Sequence, residues 1–275
     1  MYKLVAIDLD GTLLDSKQRI TETNISAIQS AIRKGVRIVI CSGRIFKGAR
    51  IFARQFQKEG PIITCNGALI KELGSGTALY SNFLGLEDAM RIIDICHRQG
   101  VYFHMYAHDV MYAEKLEFGS SFYYKMNAEL PDEDRVDIRI VEDMGEELQS
   151  NPVEVSKFVI VSQDPELLLE TRNLVLEIPT IEVMSSGRNN FEAVNRGVNK
   201  GVAIRLLSEQ LGISREEIIA IGDNENDCSM IEYAGLGVAM GNAEDFVKEM
   251  ADFVTLTNND SGVGEVLKKF VLQHE

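Results

Sequence analysis

The sequence is short of positive charge: 28 Lys and Arg stand against 42 Asp and Glu, for a formal charge of −14 and a pI near 4.8. Such a field repels polyanions and argues against nonspecific binding to nucleic acid; a small phosphorylated ligand would need cations placed locally. Cysteine is also sparse. Cys41, Cys65, Cys96 and Cys228 form no CxxC pair and have no His at zinc spacing, so they read as buried thiols in a reducing cytosol. No apolar run is long enough to span a bilayer, and Met1 to Asp10 carry acids where a signal peptide needs an apolar stretch. The expectation is a cytoplasmic protein with no membrane partner. Internal repeats, heptads and low-complexity tracts are absent as well.

What remains is ordinary globular material, 45% hydrophobic and 25% charged, which excludes disorder. At 275 residues the chain exceeds a common single domain, so a core with an insertion is expected. Lys3 to Leu9 reads as a buried strand ending in acids and Gly11. A helix over Thr23 to Lys34, a strand over Val36 to Cys41, a helix over Ile45 to Lys58 and an apolar segment over Ile62 to Cys65 follow. This βαβαβ rhythm implies a parallel sheet. It returns after Lys200. A helix runs from Val202 to Leu211, Ser214 and Glu217 have capping-box spacing, and a strand covers Ile218 to Ile221. Beyond these come a helix over Glu225 to Tyr233, a strand over Leu236 to Ala239, a helix from Ala243, an edge strand over Asp252 to Leu256 and a closing helix over Gly264 to Leu272.

The predicted fold is therefore α/β, a Rossmann-like doubly wound core made of 1–84 and 188–275, with an α+β insert over 85–187. Within the insert, Asp88 to Arg98 and Pro165 to Leu176 read as helices, and Tyr102 to Tyr106 and Lys157 to Val161 as strands. The charged stretch Pro131 to Asp143 reads as solvated surface.

Four segments carry chemistry. Asp8-Leu9-Asp10-Gly11-Thr12 closes the first strand. Two carboxylates at this spacing would let one attack phosphorus while the other shuttles a proton, with the Thr12 hydroxyl holding Asp10; alone, the segment is also an ordinary Asp-Gly turn. Cys41-Ser42-Gly43-Arg44 combines a hydroxyl with free backbone N–H groups, a cradle for phosphate oxygens or plain capping chemistry. In Asn199-Lys200-Gly201 the lysine could neutralise a transferring phosphoryl group, or be a solvated surface charge. Gly222 to Asp227 (GDNEND) is a strand-to-helix loop rich in oxygen donors, suited to a hard cation; Cys228 stands where a calcium-binding EF-hand needs Gly, so Mg2+ is preferred over Ca2+. Parallel sheets gather such loops at the carboxyl ends of their strands, which would let residues 8 and 223 meet.

In this order, DLDGT, CSGR, NKG and GDNEND resemble the haloacid dehalogenase superfamily, specifically its Cof-type phosphatases, over essentially the whole chain. The segment Ile63 to Ala68, with its Asn66-Gly67 pair, is similar to one common in that branch, and the insert falls where the family carries a C2B cap. The resemblance implies a Mg2+-dependent phosphomonoesterase. Asp8 would be the nucleophile and Asp10 the general acid and base. The metal would be held by Asp8, the Asp10 carbonyl and Asp223. Leu9, Ser42, Gly43, Lys200 and Asn226 would hold phosphate oxygens, and Thr12 and Asp227 would orient the others. Arg44 and Asn66 are candidates for reaching the leaving group, as are the cap residues Tyr102, His104, Tyr106, His108, Arg188, Asn189 and Asn190; His97 reads as structural. The implied partner is a small phosphorylated metabolite. Sugar phosphates, nucleotides, flavin mononucleotide and pyridoxal phosphate are all compatible, and a phosphomutase is the rival activity, ahead of a nonenzymatic sensor.

Overall fold

A computed structural model describes residues 1–273, and the chain divides into two compact units: 1–44 with 49–80 and 199 onward, and 45–48 with 81–198. In chain order the first unit begins with β1 (Leu4–Ile7), buried along its whole length as a central parallel strand must be. A wide turn over Leu9–Leu13 follows, in which Gly11 takes φ +78°. Next come α1 (Glu22–Arg33), β2 (Arg37–Ile40) and α2 (Phe46–Ala53). Thr21 caps α1 by accepting the Asn24 N–H. Just beyond Ala53 the bonds tighten to i+3 at Gln55 and Phe56, which ends α2 short of the predicted Lys58.

β3 (Pro61–Thr64), β4 (Leu69–Glu72) and β5 (Ala78–Ser81) make a separate small sheet in which β3 and β4 are antiparallel. Sequence had suggested β3 as a third parallel strand. Only an isolated bridge, Cys41 to Ile63, joins it to the segment after β2. The apolar run fits either pairing, and the tight turn through Cys65–Gly67 folds β4 back on β3.

The second unit carries α3 (Leu86–Gln99), β6 (Tyr102–Ala107), β7 (Val110–Ala113), α4 (Phe118–Asn127), β8 (Asp137–Ile140), α5 (Met144–Ser150), β9 (Val155–Val161), α6 (Pro165–Leu176), β10 (Ile181–Met184) and β11 (Asn190–Asn195). Its mixed sheet has the order β10-β11-β9-β6-β7-β8, with β7 and β8 the parallel pair. Strand alternation sends Phe103, Met105, Phe158, Ile160 and Phe191 into a core with apolar residues of α3, α5 and α6. Their sequence neighbours His104, Lys157 and Glu192 are buried too. β11 pairs with β9, so residues 188–198 lie in this unit rather than in the core, where the sequence reading had put them. The Pro131 to Asp143 stretch likewise contains a strand, β8. It is mostly exposed and at the sheet edge, so no period of burial marks it in the sequence.

The first unit resumes with α7 (Lys200–Leu211), β12 (Ile218–Gly222), α8 (Cys228–Tyr233), β13 (Leu236–Ala239), α9 (Asp245–Met250), β14 (Phe253–Val254) and α10 (Gly262–Leu267). The Ser214–Glu217 capping box is present. The parallel sheet has the order β14-β13-β12-β1-β2. β1 and β12 are adjacent, with Ile7 opposite Ile221, and chain direction across the sheet reverses between them, the switch point where open α/β sheets bind ligands. No helix among the described residues is long and apolar enough to cross a membrane.

Candidate active site

The β1–β12 register sets the first contacts. Asp8 donates its backbone N–H to the Ile221 carbonyl, so the ends of the two strands leave the sheet together. Asp8 and Asp223 thereby share one sheet edge, and a carboxylate oxygen from each of Asp8, Asp223 and Asp227 falls within 4.8 Å of the others.

Lys200 begins α7 behind its Asn199 cap and is wholly buried. Its Nζ donates to Asp8 Oδ1 and to Asp227 Oδ1, each at 2.6 Å. Burial alone would lower the lysine's pKa, but Asp227 and Asp8 together push it well above the ordinary range. Burial and the neighbouring Asp227 raise the Asp8 carboxyl well above its usual value, with Lys200 opposing. Asp223 is raised to about 7 by burial and Asp227, against the hydrogen bond from Thr12. One lysine does not balance three carboxylates.

The oxygens of Asp227 are committed. Oδ1 takes Lys200, and Oδ2 takes the backbone N–H groups of Asp223 and Asn224 at 2.9 and 3.1 Å. Thr12 Oγ1 donates to Asp223 Oδ1 at 2.8 Å, which corrects the expectation that it holds Asp10. A Cβ on Gly11 would stand 2.3 Å from Asp223 Oδ2, so glycine is required there by contact as well as by φ.

Asp10 is instead gripped by Arg44: Nε donates to Oδ2 at 2.7 Å and Nη2 to Oδ1 at 2.6 Å. Arg44 also donates to Gln18 and lies over the Phe52 ring, 4.9 Å from its centroid. Partial burial pushes the Asp10 carboxyl up, yet the Arg44 hydrogen bonds and charge bring it below its ordinary value. Arg44, expected to reach a leaving group, is therefore engaged with a site carboxylate. Asn66, with the same expectation, is fully buried at φ +59°, and its Oδ1 accepts the Asn226 side-chain amide at 3.2 Å.

Ser42 is buried, and its Oγ accepts the Arg44 N–H at 3.2 Å, which leaves the hydroxyl proton to donate elsewhere. The backbone N–H groups of Leu9 and Gly43 make no hydrogen bond among the described residues. Sequence reasoning missed Gln18, and it missed Asn242, whose amide donates to the Gly11 carbonyl at 2.8 Å. A Gly-Asn pair after β13 was the available signal for the second.

The haloacid dehalogenase-like hydrolase family matches residues 5–267. The chain belongs to this family. Within it the protein is a Cof-type phosphatase, and its parallel core sheet with an inserted mixed sheet is the family's arrangement in solved structures. The chain is 33% identical to 5-amino-6-(5-phospho-D-ribitylamino)uracil phosphatase of Bacillus subtilis over 98% of its length and 96% of that protein's. It is 29% identical to the pyridoxal phosphate phosphatase of Escherichia coli, covering 96% and 97%. A solved haloacid dehalogenase-like hydrolase from B. subtilis superposes with a TM-score of 0.86 at 30% identity, over 98% of this chain and all of that one.

A divalent cation fits this haloacid dehalogenase-like site on its own chemistry. Asp8 and Asp223 each keep one carboxylate oxygen that takes no hydrogen bond among the described residues, and the cluster carries unbalanced negative charge. An all-oxygen donor set of this kind suits a hard ion. Of the residues the sequence reading offered in the insert, His104 is fully buried, with its pKa lowered to about 3 by burial and Lys157, and neither ring nitrogen has a partner among the described residues. Tyr106 is buried, whereas His108, Arg188 and Asn189 are exposed.

Proposed function

We propose that the chain hydrolyses small phosphorylated metabolites through transient phosphorylation of Asp8, with Mg2+ as its cation. The observation that carries this reading is the buried Lys200 ammonium shared by Asp8 and Asp227 beside a third carboxylate, Asp223. That arrangement fixes the Asp8 carboxylate in direction and keeps local negative charge in excess, which favours a site completed by a cation and a phosphoryl group.

In this mechanism Asp8 attacks phosphorus, and the bond from phosphorus to the leaving oxygen breaks as Asp10 gives that oxygen a proton. Asp10 then takes a proton from water, the water oxygen attacks phosphorus, and the acyl phosphate bond breaks to release phosphate and restore Asp8. The Ser42 hydroxyl, the Leu9 and Gly43 N–H groups, the Asn226 amide and Lys200 hold the phosphoryl oxygens, donors matched to the charge spread in the transition state. Mg2+ held by the Asp8 and Asp223 carboxylates and the Asp10 carbonyl would add charge neutralisation at the transferring group. Arg44 acts as a positioning residue: its two-point grip holds the ionised Asp10 that accepts the water's proton, and it has to loosen for the protonated Asp10 that serves the leaving oxygen in the first step. Asn66 orients Asn226 in the same way.

The substrate class rests on relatives that act on a phosphoribitylamino-uracil and on pyridoxal phosphate. The test is release of inorganic phosphate from p-nitrophenyl phosphate with and without Mg2+, and without any bisphosphate activator, which a mutase would need. Asp8→Asn should lower turnover by at least about 10³-fold, and Asp10→Asn by about 10²- to 10⁴-fold. Near-wild-type release by Asp8→Asn would overturn the reading. A ranking of phosphorylated metabolites by kcat/KM then fixes the substrate.

A further inference from the structure

The inserted unit holds a second group of metal-ligating side chains. His97 in the last turn of α3, Glu114 just after β7 and Asp143 at the N-cap of α5 bring one ligand atom each to within 4.8 Å of one another. His97 Nε2 and Glu114 Oε1 are 2.7 Å apart. Each carboxylate is oriented through one oxygen by a backbone N–H. Met144 donates to Glu114 Oε1 at 2.8 Å, and Glu146 to Asp143 Oδ1 at 2.8 Å. Their second oxygens take no hydrogen bond among the described residues. The imidazole is steadied edge-on by the Phe103 ring, with centroids 5.5 Å apart. All three side chains line one cavity of about 520 Å³, beside Lys115, Glu117 and Ser162.

Three features set this group apart from a cluster of surface acids. Its donors are mixed, one nitrogen and two oxygens. They come from three different elements. Each carboxylate is also held from behind, as outer-shell partners hold metal ligands. Among the described residues no Lys or Arg pairs with Glu114 or Asp143, so two carboxylates face at most one imidazolium charge.

We propose that His97, Glu114 and Asp143 form a site for a divalent transition metal of the zinc class, with its open coordination position facing the cavity. An imidazole in the donor set favours Zn2+, Co2+ or Ni2+ over Mg2+, whereas the all-oxygen cluster at Asp8 has the opposite preference. The ion takes the place of the proton between His97 and Glu114, which leaves to solvent while the Nε2 lone pair binds the metal. Bonds of about 2.0–2.1 Å at a tetrahedral angle set donors about 3.3 Å apart, so the 2.7 Å contact has to open by about 0.6 Å. His97 and Asp143 are exposed enough to rotate by that amount. Binding ties the end of α3 to the exit of β7 and the start of α5.

The experiment uses the full chain stripped with chelator and held in excess Mg2+, so that the all-oxygen site is filled, with Co2+ as the probe. One Co2+ per chain is expected, with the visible d–d absorption of a low-coordinate site, and Zn2+ should displace it. Glu114→Gln keeps the acceptor for Met144, and Asp143→Asn keeps the α5 cap. Each of these, and His97→Ala, should weaken Co2+ binding by more than about 100-fold, beyond the loss expected for an outer-shell partner. Metal-free melting curves matching wild type show that the variants fold; should one fail to, the other two carry the test. The proposal is overturned if Mg2+ competes away all bound Co2+, or if the three variants bind it as wild type does. The readout is independent of phosphate release, and Asp8→Asn should leave the Co2+ signal intact, so failure here and failure of the phosphatase reading are distinguishable.

Discussion

Two lysines among the described residues are buried to within 1% of complete, one in each unit, and the carboxylates around them differ. Lys157 in the insert meets Glu192 at 2.7 Å and lies 5.3 Å from the centre of the Tyr106 ring. Lys200 in the core meets both Asp8 and Asp227, with Asp223 alongside. The first pairing sets Lys157 against one carboxylate among the described residues, and that carboxylate also accepts the Ser186 hydroxyl at 3.0 Å. The second leaves negative charge unmet, and this adds to burial in raising the Asp8 and Asp223 carboxyls. A buried ion pair is a structural element with a desolvation cost, whereas a surplus of one sign marks a place built for something that arrives later.

Replacing each lysine should break the comparison most sharply. Lys200→Met should lower phosphate release by about 10²- to 10³-fold, the size of losing a preformed transition-state donor, and restoring charge balance with a second change at Asp227 should not recover it. Lys157→Met should act through stability, costing up to about 3–5 kcal/mol because it takes the Lys157 ammonium away from the buried Glu192 carboxylate. Adding Glu192→Leu should return part of that loss in urea unfolding, because it removes the buried carboxylate that the first change exposes to desolvation, while the Ser186 hydroxyl loses that acceptor. If the double change in the insert failed to recover stability, the claim that its pair is structural would be wrong.

Much of the site was legible because its residues sit at strand ends, where identity and position can be read together. Asp8 follows β1 and Asp223 follows β12, and a parallel sheet puts such ends side by side. Which carboxylate takes a given donor could not be read this way. Thr12 lies two residues from Asp10 in sequence and yet bonds Asp223, because the turn around Gly11 aims its hydroxyl across to β12. Arg44 looked like a ligand-binding cation, and only the fold shows it closed on Asp10. The end of the insert was hidden for a related reason. Phe191 to Val194 are buried in a row, as residues of a strand in either sheet can be, and only the pairing with β9 assigns residues 190–195 to one sheet rather than the other.

The smallest expected effect sharpens the comparison through pH. The Asp223 carboxyl is held near 7 in the folded chain against an ordinary value of 3.8, so the folded state binds its proton more tightly than the unfolded state does. Its contribution to stability is fully present below pH 3.8 and is lost as pH rises through about 7, by a few kcal/mol at most and less for its partial exposure. Metal-free protein should therefore lose melting temperature between pH 4 and 8 relative to Asp223→Asn, which has no such charge to bury. Mg2+ should restore more at pH 8 than at pH 5, since only the ionised cluster attracts it. Parallel melting profiles for the two proteins across that range would mean that the core's surplus charge is already neutralised within the chain, and the distinction between its lysine and that of the insert would fall with it.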